Sequence, residues 1–220
     1  MAIVTWKDLC LDALDVDAVS RFWGAVSGLE VTGPVDHRFL AGPTPRHGVW
    51  VNGVDRPKRA KTRRHLDVDC DSVDDLVALG ASVVAPSSET GFGWTTMTDP
   101  EGTEFCAFER GRAVPDYRVH GIGVDCADAA GLARWWGGLF GVEAVEEESW
   151  FTLGGVAVDD RFTLDFNDVP EPRSEPSRVH WDVVGDVAEV LAHGATVLWE
   201  LPGWTTLADP EGNEFCVFAV

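Results

Sequence analysis

Two histidines occupy near-identical stretches of this chain, HLDV at 65–68 and HWDV at 180–183, each with an aspartate two residues on (Asp67 and Asp182). Glutamate and cysteine recur in the same way, as Glu104 and Cys106 in EFCAF and as Glu214 and Cys216 in EFCVF. Residues two apart on a strand share a face, so each group projects His, Asp, Glu and Cys to one side. Imidazole, carboxylate and thiolate are metal donors, and a catalytic metal takes about three of them plus an open position. A glutamate beside a histidine is instead an acid–base pair, Glu104 with His65 or Glu214 with His180. The plainer alternatives are sheet histidines oriented by Asp67 and Asp182 and cysteines that act as small buried hydrophobes. A nucleophilic Cys106 or Cys216 needs a thiolate-stabilising cation, and no neighbour in sequence supplies one.

These residues are positioned by a repeat that runs the length of the chain. WTTMTDPEGTEFCAF (94–108) and WTTLADPEGNEFCVF (204–218) agree at 11 of 15 positions. Residues 11–31 match 124–144, and 51–68 match 166–183, in the same order. Two domains follow, 1–112 and 113–220. Each reads as strand, helix and short strands, done twice. Val19, Phe22, Trp23 and Val26 form one apolar helical stripe behind a cap at Asp15 or Asp17, and Leu132, Trp135, Trp136 and Leu139 repeat it. Gly28 and Gly141 end these helices. DPEG is the turn between the last two strands, with Asp, Pro and Gly in turn-forming places. One sheet face is apolar (Leu9, Leu11, Leu66, Val68, Phe105). The other carries Asp8, Cys10, His65, Asp67, Glu104 and Cys106, which suits a partly enclosed pocket.

A net charge of −20 repels phosphate backbones and excludes nucleic acid as a partner. RPKRAKTRR (56–64) is the exception, and reads as a solvated basic linker. No apolar stretch is long enough for a membrane span, and five cysteines without a C-x-x-C pair point to reduced thiols, so a cytoplasmic location is expected.

The paired units, the FW…GLEV and WW…GVEA helix ends, the HLDV and HWDV strands and the closing DPEGxEFCxF resemble the vicinal oxygen chelate superfamily, which includes glyoxalases, bleomycin resistance proteins and extradiol dioxygenases. The resemblance covers nearly all of both halves, and is strongest to the glyoxalase-like subgroup. It implies an α+β fold of two tandem domains, each of paired βαβββ units forming a curved mixed eight-stranded sheet with helices on the convex face. It also implies a ligand cup in each half. The family's metal ligands fall at Asp8, His65 and Cys106 in the first half. In the second, Gly121 takes the first position, beside His180 and Cys216. Cysteine stands where the family has glutamate in both halves, which disfavours hard metals. No metal or other cofactor is favoured, and a divalent ion is left as an option in the first half only.

The expected function is binding of a small, partly aromatic molecule in the cups without the usual metal. Asp8, Trp50, Asn52, His65, Asp67, Glu104 and Cys106 would line one cup. Asn167, His180, Asp182, Glu214 and Cys216 would line the other. Trp94, Trp150 and Trp204 are further wall candidates. The alternatives are a metal-assisted lyase, isomerase or dioxygenase, a metal-free acid–base enzyme using Glu104, His65, Glu214 and His180, and a degenerate accessory module. The chain is expected as a monomer with an internal pseudo-dimer or as a homodimer.

Overall fold

The computed structural model describes residues 1–111 and 113–219. The first half runs β1 (Val4–Ala13), α1 (Val16–Ser27), β2 (Glu30–Thr32), β3 (Arg38–Ala41), β4 (Val49–Gly53), β5 (Arg64–Cys70), α2 (Val73–Ala78), β6 (Ser82–Ala85), α3 (Ser87–Thr90), β7 (Thr95–Thr98) and β8 (Glu104–Glu109). The second runs β9 (Val119–Cys126), α4 (Ala129–Phe140), β10 (Val145–Glu146), β11 (Phe151–Gly154), β12 (Thr163–Asp168), β13 (Val179–Gly185), α5 (Val187–Ala192), β14 (Thr196–Glu200), β15 (Trp204–Ala208) and β16 (Glu214–Phe218). The fold is α+β, with two eight-stranded mixed sheets and two tandem repeats, as the sequence suggested. The boundary read at 112/113 falls on Arg112, outside the described residues.

The caps follow the local sequence. Asp15 accepts a hydrogen bond from the Ala18 amide at the start of α1, and Asp128 does the same for Gly131 at α4. Gly28 and Gly141 close these helices at φ 73° and 71°, a left-handed conformation that costs glycine little.

The strand order departs from one sheet per half. The first sheet runs β14-β15-β16-β13-β1-β4-β3-β2, and the second β10-β11-β12-β9-β5-β8-β7-β6. Each sheet therefore takes one βαβββ unit from each half, joined at β1–β13 and β5–β9, both antiparallel. Helices α1 and α4 lie between the sheets. Trp23 of α1 packs edge-on against Phe105 of the second sheet, and α1 also covers β3 and β4 of the first. Trp136 of α4 meets Trp181 and Phe215 of the first sheet. The two apolar faces thus share one core, and Phe105 and Phe215 are fully buried in it. Within that core, Arg64 of β5 is fully buried, pairs with Asp209 at 3.2 Å and lies 4.1 Å over the Trp181 ring.

The DPEG turns do more than reverse the chain. Asp99 accepts from the amides of Glu101 and Thr103 as turn chemistry requires, but its other oxygen accepts from Trp23 Nε1 at 3.1 Å. Glu101 accepts from the amides of Leu14 and Asp15, just ahead of α1. Asp209 and Glu211 repeat both contacts, on Trp136 and on the amides of Ala127 and Asp128. The repeated motif therefore pins each half's main helix to the sheet formed by that half's second unit.

Candidate functional site

The sheet pairing redistributes the predicted site residues. Asp8 faces Asp182 across β1–β13 and Cys10 faces His180. His65 faces Gly123 and Asp67 faces Gly121 across β5–β9. The candidate metal set of Asp8, His65 and Cys106 is thus split between two sheets, and Gly121 belongs with His65, not with His180. The correction follows from long-range pairing: strands within one half flank different sheets. Likewise Asp8, Trp50 and Asn52 share a face with His180, Asp182, Glu214 and Cys216, while Asn167 lies with His65, Asp67, Glu104 and Cys106.

The second sheet holds an open cavity of 830 Å³. His65, Asp67, Cys106 and Asp125 form its floor, with Gly123 beneath the His65 ring. Phe92 stacks on Trp94 at 4.6 Å, Trp94 lies 5.6 Å from Phe108, and Trp150 closes the far side. His65 Nδ1 lies 3.5 Å from Cys106 Sγ and 3.4 Å from Asp67 Oδ1, and its Nε2 lies 3.7 Å from Asp125 Oδ1. Burial works against a charged ring here, but Cys106, Asp125 and Asp67 outweigh it and carry His65 well above the ordinary imidazole range. Burial pushes the Cys106 thiol up, against the pull of His65.

The basic linker reaches into this site. Lys58 pairs with Glu104 at 2.6 Å and Lys61 with Asp125 at 2.6 Å. Thr62 donates to Glu104 through both its amide and its hydroxyl. Although burial opposes it, these partners hold Glu104 below the ordinary carboxyl range. Glu104 is therefore a fixed anion, and no hydrogen bond or ion pair joins it to His65 among the described residues. In the first sheet Arg173 pairs with Glu214 in the same manner.

One residue per sheet escapes strand-parity reasoning. The β1–β13 register slips between Trp6 and Asp8, and the β5–β9 register slips around His120. Each slip is a bulge that turns an extra side chain onto the polar face. Lys7 lands 4.1 Å over the Phe218 ring, and His120 lands 4.7 Å from the Phe108 ring. A three-residue spacing between core positions, Trp6–Leu9 and Val119–Ile122, was the available signal.

The polar face of the first sheet is more crowded at the equivalent places. Lys7 Nζ lies 2.6 Å from Asp8 and 4.0 Å from Asp182. Trp50 donates to Asp8 at 3.2 Å and is flanked by His37 and Phe39. Where this sheet has Asp8, Cys10 and Trp50, the second has Gly121, Gly123 and Asp165. Burial lowers His180 to about 4, with the Arg64 charge adding to it. Burial, then the Asp8 charge, raises Asp182 to about 7. Among the described residues, two groups of donors lie within 4.8 Å of one another and could hold an ion: His65 with Asp67 and Cys106, and Cys10 with His180 and Asp182.

The described residues include no helix long and apolar enough to cross a membrane. Among solved structures, the chain is similar to a glyoxalase I variant from Zea mays (TM-score 0.71, 16% identity, 99% of this chain and 94% of that one). It is also similar to a putative dioxygenase from Bacillus subtilis (TM-score 0.66, 12% identity, 99% and 86%). No curated protein sequence matches it. The model of the glyoxalase-like domain matches twice, over residues 8–108 and 121–218. The two sheets and the helices between them are built largely from these two matched segments, and the chain belongs to the glyoxalase-like domain family, within the vicinal oxygen chelate superfamily.

Proposed function

We propose that the chain binds a small, flat, partly aromatic molecule in the cavity of the second sheet, without a catalytic metal. The observation that carries this reading is the exchange of Asp8, Cys10 and Trp50 for Gly121, Gly123 and Asp165, which opens 830 Å³ above an aromatic wall. Aromatic side chains offer stacking area, and the few polar groups on the floor fix orientation. Carboxylates outnumber cations around the cavity, with Asp67, Glu104, Asp125, Asp165 and Asp168 against Lys58, Lys61 and His65. That balance suits a cationic or neutral ligand.

The donor groups fit a divalent ion poorly. In the second sheet the donor set is one imidazole, one carboxylate and one thiol, and the soft sulfur disfavours magnesium, manganese and iron(II). In the first sheet the Lys7 ammonium already sits among the acids, beside Asp8 and near Asp182. Five free, buried cysteines are in keeping with a cytoplasmic location. With both sheets complete within one chain, a monomer suffices for both cups.

The test is a thermal-shift titration with N-methylquinolinium, a planar aromatic cation, on untagged protein before and after exhaustive chelation. Stabilisation of about 2.7 kcal/mol is expected at 100 times the dissociation constant, unchanged by chelation. Stoichiometric zinc, iron, nickel or manganese, lost on His65→Ala, moves the reading to a metal-assisted enzyme.

A further inference from the structure

We propose that Cys106 is a nucleophile, served by His65 and positioned through Asp125, and that its target is a flat α,β-unsaturated carbonyl compound seated on the aromatic wall. The inference rests on the cavity of the second sheet being a ligand site and names the ligand's chemical class.

The geometry brings together a nucleophile, a base and two acids, with Asp67 Oδ1 lying 3.4 Å from the ring nitrogen that faces the sulfur. Cys106 Sγ lies 3.5 Å from His65 Nδ1, and the opposite ring nitrogen lies 3.7 Å from Asp125 Oδ1. Asp125 is itself held by Lys61 at 2.6 Å. The ring can lie flat over β9 because Gly123 has no side chain there. Cys106 lines the cavity, so its sulfur faces whatever occupies it. The chain carries its own control in Cys216, which sits at the repeat-equivalent place. Cys216 is 8% exposed against 5% for Cys106, so simple accessibility does not favour Cys106. Its sulfur contacts Thr206 Oγ1 at 3.5 Å, and no hydrogen bond joins it to His180 among the described residues.

A soft sulfur nucleophile matches a soft, conjugated carbon. The thiol proton passes to His65 Nδ1 as sulfur bonds to the β-carbon of the alkene. The electron pair moves to the carbonyl oxygen as an enolate, and the proton returns to the α-carbon. The addition balances without a further reactant. The charged and titratable groups facing the pair are Asp67 on β5, Glu104 on β8, Asp125 and His120 on β9, Asp165 on β12, and Lys61 in the linker.

N-ethylmaleimide tests this, with the extent of modification at each of the five cysteines read by peptide mass. Cys106 is expected to react at least tenfold faster than Cys216. His65→Gln slows Cys106 at least tenfold and leaves Cys216 unchanged. Asp125→Asn slows Cys106 and Asp125→Glu restores the rate, a rescue that loss of packing alone does not give. Equal rates at Cys106 and Cys216, or a Cys106 rate indifferent to His65→Gln in a variant that still melts cooperatively, overturn the proposal. If His65→Gln does not fold, a Cys106 rate unchanged in Asp125→Asn overturns it instead. Reversible binding of N-methylquinolinium with an inert Cys106 separates failure of this step from failure of the binding reading.

Discussion

Gly123 lies opposite His65 in the β5–β9 ladder, and a Cβ at Gly123 would fall 1.9 Å from His65 Cε1. The glycine is the seat of the imidazole. Gly123→Ala must swing the ring off the strand and part it from Cys106 and Asp125. Overpacking of this kind costs about 1–3 kcal/mol, read by denaturant unfolding. Binding of N-methylquinolinium should weaken at least tenfold. Gly154→Ala is the control, since a Cβ there meets nothing within 4 Å; comparable effects from both substitutions would show that His65 is not the cause.

Asp165 and Trp50 are repeat equivalents on opposite sheets. Asp165→Trp should close the cavity from within, as Trp50 and its neighbours crowd the first sheet. Calorimetric titration is expected to lose all detectable binding of the aromatic cation, at some cost in melting temperature because Asp165 accepts from the Thr152 and Thr163 hydroxyls. Retained affinity would place the ligand elsewhere.

Asp182 gives the first sheet a pH signature. Its folded-state pKa of about 7, set by burial and then by Asp8, lies above the ordinary aspartate value. Stability from this group is therefore full below about pH 4 and is lost as pH rises through 7. Across that window the loss is at most about 4 kcal/mol. His180, lowered to about 4, has the opposite sign and loses stability as pH falls below about 6.5. Asp182→Asn should thus unfold less readily than the parent at pH 8 and lose that advantage near pH 4. Parallel stability–pH curves for the two proteins would contradict this assignment.

Glu101 should act as a helix anchor. It accepts from two backbone amides ahead of α1, and Glu211 does the same ahead of α4. Each truncation to Ala is expected to cost about 1 kcal/mol, and the double substitution about the sum, since the sites are separate. Urea unfolding of the three variants measures both points.

Periods and turn residues made most elements readable. The stripe of Val19, Phe22, Trp23 and Val26, the closing Gly28 and the two faces of β5 and β8 all follow from local pattern, and the structure keeps them. The partner of β5 was not readable. Strands β9 and β13 present the same alternation of apolar and polar residues, so nothing local to either one favours pairing with β5 over β1. The mistaken grouping of Asp8 with His65 came from that degeneracy. Lys7 and His120 were missed because a bulge inverts parity over one residue. Lys58 and Lys61 were read as solvated because the carboxylates that hold them, Glu104 and Asp125, lie more than 40 residues away in sequence.

The sharing of each sheet between both repeats has an evolutionary reach. Neither half of the chain owns a cup. A substitution in β1 alters only the first sheet's face, and one in β9 only the second's, while β5 and β13 carry the same HxDV strand into both. The two sheet faces can therefore drift apart as wholes while the two sequence repeats remain recognisable. Lys7 and Trp50 crowd the polar face of the first sheet, Gly121 and Gly123 clear that of the second, and both repeats are kept.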